Sequence, residues 1–443
     1  MTDQNAGPAT EAPAPKPDAV SNPYERSLIR NYALGILTLV YTFNFIDRQL
    51  LSILQEAIKA ELTLSDSQLG LLTGFAFAMF YVTAGIPIAR LADRGNRRNI
   101  VAASVGIWSF MTAISGFVQN YTQLLLARIG VGVGEAGGSP PSHSIVSDIF
   151  PKEQRASALA FYSTGVNMGI LFGFLFGGWL NEFFGWRVAF MVVGVPGIML
   201  AVIVAATVRE PVRGLLENKK ATDKQVPFGE VVSVLWQRKT FRHMALACGL
   251  NAFAGYGTIN WLASFFIRSH EMSTGELGTW LALSTGLIGA IGVFIGGVLG
   301  DKLGKRDKRW YLWIPGLATL LVAPFVVVVL LTDYQYLALI CVFVPGLLQN
   351  VYLGNSIATT HNLVGLRWRS TASALLFLIL NIIGLGMGPF AIGFLSDMLA
   401  PSYGSESLRW AMLALLPTVN IWSAIHFYLA SRTLHEDLER APD

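Results

Sequence analysis

Asp47 and Arg48 stand side by side in the stretch Tyr41-Thr42-Phe43-Asn44-Phe45-Ile46-Asp47-Arg48-Gln49-Leu50-Leu51, with no charged residue before them after Arg30. On a helix rising about 1.5 Å per residue, Asp47 lies about 25 Å beyond Arg30. Adjacent helical residues diverge by about 100°, so the acid and the base cannot simply neutralise each other. Each needs a partner from another segment. Arg128 and Glu135 supply a second acid and base, seven residues apart and therefore on one helix face. Depth along the two segments permits Asp47 to pair with Arg128, with Glu135 lower in the same space. The chemistry open to such a set is proton exchange at Asp47 and Glu135 and anion binding at Arg48 and Arg128. Burial favours the neutral form of a carboxyl group and a nearby cation favours its charged form. An arginine that approaches and leaves therefore switches proton affinity. Guanidinium groups stay charged and hold phosphate or carboxylate in a bidentate manner. A static polar clamp that only fixes the packing is the competing reading.

The surroundings of these residues explain why they matter. The chain has 443 residues, 53% hydrophobic and only 14% charged, with a mean hydropathy of +0.50. Soluble domains carry about 25% charged residues, so the composition is that of a multi-pass membrane protein. Placing a charge at mid-bilayer costs at least about 2.5–3.5 kcal/mol, and such residues face a bundle interior or a wet cavity. The net charge of +4 follows membrane topology and does not indicate a nucleic-acid partner. Cys248 and Cys341 lie in apolar segments with no Cys/His cluster, so neither a metal site nor a disulfide is expected, and no cofactor. Gly300-Asp301-Lys302-Leu303-Gly304-Lys305-Arg306 is one residue short of a P-loop and lacks the Ser/Thr after Lys, which argues against a nucleotide-driven pump. An enzyme is not expected, because no nucleophile with its base and no H-E-x-x-H is present.

Runs of about 20 apolar residues predict twelve transmembrane helices, at roughly 31–56, 67–92, 99–118, 121–149, 156–181, 187–208, 241–267, 275–300, 310–332, 335–363, 370–398 and 408–431. The expected organisation is an all-α membrane protein. Residues 1–27 form a disordered tail, 28–208 a first six-helix bundle, 209–240 a linker, 241–432 a second bundle and 433–443 a second tail. Of the 32 lysines and arginines, 26 fall on the side of the termini. This asymmetry predicts both termini in the cytoplasm and, without a signal peptide, a plasma (inner) membrane location.

The two bundles repeat. Ala89-Arg90-Leu91-Ala92-Asp93-Arg94 follows the second segment and Gly300-Asp301-Lys302-Leu303-Gly304-Lys305-Arg306 the eighth; Arg155 opens the fifth and Arg369 the eleventh; Arg187 opens the sixth and Arg409 the twelfth. Duplicated halves around a midplane site are a transporter architecture. These loops resemble the signature loops of the major facilitator superfamily. The first copy departs from it, with Gly95 one position early and Ala89 where glycine is usual. Arg128-Ile129-Gly130-Val131-Gly132-Val133-Gly134 and the glycine stripe Gly165, Gly169, Gly173 resemble its fourth and fifth helices. Asn44-Phe45-Ile46-Asp47-Arg48 with Gly132-Val133-Gly134-Glu135-Ala136 further resembles the Spinster family of lysolipid and sphingoid-phosphate transporters. The resemblance implies two pseudo-symmetric six-helix bundles that work by alternating access. It also implies a cytoplasmic gate built from Asp93, Arg94 and Arg97, from Asp301, Lys302 and Arg306, and from the helix starts at Arg155 and Arg369.

The second bundle carries almost no interior charge. It offers Asn251, Tyr256, Asn260, Gln349 and Asn350 among apolar and aromatic neighbours; helix–helix hydrogen bonding accounts for part of them. With Arg48 and Arg128 they are the expected substrate-binding residues, a charged wall facing a polar and aromatic one. The expected function is proton-coupled movement of an amphipathic anionic lipid, such as a lysophospholipid or sphingoid phosphate, by a monomer in the bilayer. The alternatives are transport of a small organic anion or sugar acid, and a lipid sensor that transports nothing.

Overall fold

The computed structural model describes residues 23–213, 228–365 and 368–440. Residues 1–22 of the expected tail and 214–227 of the linker lie outside the described residues. Twelve long helices follow one another: α1 (Ser27–Leu62), α2 (Asp66–Arg94), α3 (Arg97–Ser115), α4 (121–149), α5 (152–184), α6 (186–207), α7 (Lys239–His270), α8 (274–304), α9 (Trp310–Leu331), α10 (Gln335–Asn362), α11 (369–403) and α12 (Ser407–Glu439). Helices α5 and α6 meet without a loop at Gly185, whose φ of 81° is open to glycine without strain. Before α1, Pro23–Glu25 form a short 3-10 turn, and Tyr24 is buried with its hydroxyl donating to the Arg209 carbonyl. In the linker, Phe228–Gln237 form a short helix that buries Val231 and Leu235.

The even number of helices brings both ends to one face, here the terminal face; the opposite one is the far face. Packing of α1 is set by the glycine stripe of α5. A Cβ at Gly169 would lie 2.4 Å from Phe45 Cβ and 2.5 Å from the Thr42 carbonyl, and one at Gly165 would lie 2.8 Å from the Thr38 carbonyl. Only bare backbone admits α1 this closely, and that contact fixes the azimuth at which Asp47 and Arg48 point. Wide π-turns interrupt α2 (Leu71–Phe75), α8 (Ala282–Leu287) and α11 (Leu380–Met387), three helices at the boundary between the halves.

The halves join mainly at the far face. Arg268 of α7 donates through Nε and Nη2 to Glu56 (3.0 and 2.7 Å) and through Nη1 and Nη2 to Asp66 (both 2.7 Å). Asp397 of α11 accepts from the Asp66 and Ser67 backbone N–H groups at 3.0 and 2.7 Å. It thereby caps the free N-terminus of α2 with an opposite charge. Close backbone contact completes the seal: a Cβ at Gly393 would lie 2.3 Å from the Asp66 carbonyl, and one at Gly178 2.3 Å from that of Thr274. At the terminal face the acidic loops after α2 and α8 are exposed, with Asp93 and Asp301 both open to solvent.

Removing one member of a buried charge cluster costs about 3–5 kcal/mol, and Arg268 serves two carboxylates at once. Arg268→Gln is therefore expected to loosen the far face and populate a state open on that side. Spin-label distances between the 63–65 and 271–273 loops should lengthen; an unchanged distribution would show that the seal does not rest on Arg268.

Candidate functional site

Between the halves lies a cavity of about 360 Å³. Arg48 is the one charged residue among the described residues that line it. The guanidinium is held in two ways. Its Nε and Nη2 both lie 2.7 Å from Oε2 of Glu135. Its Cζ also lies 5.0, 4.9 and 5.3 Å from the ring centroids of Phe45, Phe77 and Tyr81. Three aromatic faces around a cation add to its attraction and keep it at the cavity wall. Glu135 sits behind the wall, 1% exposed.

Asp47 points away from Arg48, as helical geometry requires. It reaches into its own half, where the Thr112 hydroxyl of α3 donates to Oδ2 at 3.1 Å; Oδ1 has no hydrogen-bond partner among the described residues. The pairing of Asp47 with Arg128 permitted by depth is not formed. Arg128 instead lies 5.7 Å from the Phe77 ring, and its Nε and Nη1 have no hydrogen-bond partner among the described residues. Depth along a helix axis fixes height and leaves azimuth open. The azimuth imposed by α5 brings Arg48 into hydrogen-bond contact with Glu135 of α4 and Asp47 into contact with Thr112 of α3.

Arg128 also does not line the main cavity. With Arg48 it borders an adjoining pocket of about 30 Å³, which also has Gln49, Thr73 and Asn260 in its walls and shares Phe45, Arg48, Gln49, Tyr256 and Ile259 with the main cavity. In the second half, Asn251, Tyr256, Gln349 and Asn350 do reach the main cavity. Two of them are already engaged: Asn251 Nδ2 donates to the Thr319 hydroxyl (2.7 Å) and Gln349 Nε2 to the Asn251 carbonyl (2.8 Å). Asn260 accepts from the Ser52 hydroxyl at 2.9 Å across the two halves, so its present contact closes the far side of the cavity. The remaining walls are uncharged and mixed: Gln49, Ser139, Thr258, Thr285 and Asn381 are polar, while Phe45, Ile170, Ile259, Leu262, Val342 and Phe377 form apolar stretches. The arrangement can hold an anionic group at Arg48 and a hydrocarbon portion beside it.

The expected gate residues divide. Asp93, Arg94, Asp301, Lys302 and Arg306 are exposed at the terminal face, and Arg155 and Arg369 are half-buried at the starts of α5 and α11. Arg97 departs from a gate role. It is buried inside the first half, donating to Asp148, Glu210 (2.7 Å), Ser144 (2.7 Å) and the Pro211 carbonyl (3.0 Å). Two carboxylates and a carbonyl satisfy its fork better than the open gap between halves would. Arg213 holds the first acidic loop from below, donating to the Gly95 carbonyl at 2.7 Å and to those of Ala92 and Asp93.

Reading the sequence missed Phe77, Tyr81 and Thr112, the groups that hold the charges in place. Aromatic and hydroxyl side chains inside an apolar helix carry no signal of their own. Asp66, Asp397 and Glu56, the partners of Arg268 and of the α2 start at the far face, were missed as well.

A family model described as Major Facilitator Superfamily matches residues 37–389. The chain is 35% identical over 409 residues to an MFS-type efflux pump of Mycolicibacterium smegmatis, covering 92% of this chain and 94% of that protein. It is 27% identical to a probable galactarate/D-glucarate transporter of Bacillus subtilis over 71% of this chain and 75% of the relative. It is 24% identical to a sphingosine-1-phosphate transporter of Danio rerio over 92% and 85%. Among solved structures, a bacterial homologue of the human lysosomal transporter Spinster, inward-facing and unoccupied, matches with a TM-score of 0.85 and 34% identity, over 94% of this chain and 99% of that one.

Proposed function

The chain belongs to the Major Facilitator Superfamily, and we propose that this transporter is driven by protons, works by alternating access and carries an amphipathic anionic lipid. The observation that carries the reading is the solitary Arg48 in a cavity whose other walls are apolar or uncharged. A phosphate or carboxylate head is held at Arg48 while the hydrocarbon chain lies along Ile259, Leu262, Val342 and Phe377. The similarity to proteins named for Spinster and for sphingosine-1-phosphate transport supports the same substrate class. Arg128, which lines the small adjoining pocket together with Arg48, adds positive potential near the head. The protein is taken as a monomer of the plasma membrane with the terminal face in the cytoplasm, which makes the present state inward-open.

The Arg48–Glu135 pair supplies a coupling route. With Glu135 charged, its Oε2 occupies the two guanidinium N–H groups that an anionic head needs. A proton on Glu135 weakens that attraction and frees Arg48 for substrate. Asp47, hydrogen-bonded by Thr112, is the second carboxyl group that exchanges a proton. Asp47→Asn and Glu135→Gln are each expected to abolish uptake driven by a pH gradient in liposomes while leaving the protein folded. Glu135→Gln should in addition bind the anionic head at least about tenfold more tightly, with the pH dependence of binding lost, because a hydrogen bond to a charged group contributes about 1.5–3 kcal/mol. Full gradient-driven transport in both variants would remove these residues from coupling.

The terminal-face gate follows from helix ends. The N-cap residues Trp368 of α11 and Pro151 of α5 make no side-chain cap hydrogen bond, and each helix start presents a positive dipole end. Asp93 engages the start of α11, and Asp301 that of α5, when the terminal face closes. Asp93→Asn should shift the population toward the inward-open state, read as longer label distances between the terminal ends of α2 and α11. No shift would dissociate Asp93 from the gate.

The second reading is a small organic anion held at Arg48 alone, as the similarity to a probable galactarate/D-glucarate transporter suggests. Chain length separates the two. Each added CH₂ should tighten binding of a lipid substrate by up to about 0.8 kcal/mol when fully buried. Competition binding across a series with one head group and growing chains should therefore rise steeply; a flat series favours the small anion.

A further inference from the structure

We propose that the outer surface between α9 and α12 is a binding site for an anionic phospholipid of the surrounding bilayer, separate from the transport cavity. A groove of about 430 Å³ runs there, and it shares no lining residue with the central cavity. Its walls are Leu317 and Leu320 on α9 and Ile421, Ile425 and Tyr428 on α12, all substantially exposed. Its floor is Gly316, where a Cβ would lie 3.1 Å from Phe427 Cβ, so the helices approach without a side chain filling the space.

Dimensions and chemistry agree on the occupant. From Trp310 to Leu320 the groove covers about 15 Å of helix rise, one leaflet of a hydrocarbon core about 30 Å thick. At its terminal-face mouth stand Trp310 and Trp313, with ring centroids 5.3 Å apart, and Tyr428. Such residues occupy the interface between acyl chains and head groups. Cations follow directly. Arg309 precedes Trp310, with its Cζ 6.0 Å from the Trp313 ring. Arg432 continues the Ile421, Ile425, Tyr428 face of α12 by one more turn and is exposed, as is Lys308. Asp307 lies 4.0 Å from Arg309 and 3.4 Å from His435. Arg309 Nε makes no hydrogen bond. Lys308, Arg309 and Arg432 outnumber the nearby carboxylates Asp307 and Glu436, the latter already paired with Arg440 at 2.7 Å, and leave a positive mouth over an apolar groove. A negatively charged phosphodiester head suits that mouth better than a zwitterionic one, because arginine pairs with phosphate oxygens in a bidentate manner.

The test uses the full chain purified in detergent, with phosphatidylglycerol or phosphatidylcholine of matched acyl chains added and retained lipid counted by native mass spectrometry. The expected preference for phosphatidylglycerol is about tenfold, because cations at the interface attract an anionic head and leave a zwitterionic one nearly unaffected. The double variant Arg309→Ala/Arg432→Ala should reduce that preference to near unity. Ile425→Trp, which fills the groove from the exposed side, should lower retention of both lipids. Arg48→Ala, in the central cavity, should leave the preference intact. Equal retention of the two lipids would overturn the proposal, as would a preference that survives the double variant or one that disappears with Arg48→Ala. A dimer broken by Ile425→Trp would overturn it too, by assigning the face to a second copy of the chain.

Discussion

A guanidinium can stay charged deep in a membrane protein only if its surroundings replace water. Arg48 shows how this chain does it, and much of the site is arranged around that need. One oxygen of Glu135 takes two of its N–H groups and three aromatic rings surround it, leaving the side chain 14% exposed. Each supporting group constrains another element. Glu135 fixes the azimuth of α4, and Phe77 and Tyr81 fix that of α2. The close α1–α5 contact at Gly165 and Gly169 fixes α1 itself. The cavity has its charged wall because four helices meet these demands together.

The far face applies the same physics with more charges. Arg268 is satisfied by four carboxylate oxygens, and Asp397 by two backbone N–H groups at the start of α2. Both sets of partners come from opposite halves, so they exist only while the far face is closed. Contacts of this kind favour one arrangement discretely and give a packed membrane protein two separate states in place of a continuous range.

Much of the architecture could be read from residue types because the bilayer punishes misplaced charge. Twelve apolar segments, the repeat of acidic loops, and the isolation of Asp47, Arg48, Arg128 and Glu135 all follow from that penalty. Pairing was harder to read. Depth placed Asp47 level with Arg128, but rotation about the axis decides partners, and rotation comes from packing against α5. Arg97 looked like a loop cation beside Asp93 and Arg94, yet it turns inward to Asp148 and Glu210. Asp66 and Asp397 lie at helix ends, where a charge is ordinary, so nothing in their sequence context marked them as partners across the two halves.

The make-up of the buried quartet has an electrical consequence. Asp47, Arg48, Arg128 and Glu135, when all are ionised, sum to zero charge. Moving one elementary charge across a potential of 100 mV involves about 2.3 kcal/mol, whereas a neutral cluster moves through the field with almost none. With all four ionised, the quartet therefore adds no net charge to a reorientation of the empty carrier. On the proposed cycle, voltage acts on this cluster only through the charge that protons and substrate add to it.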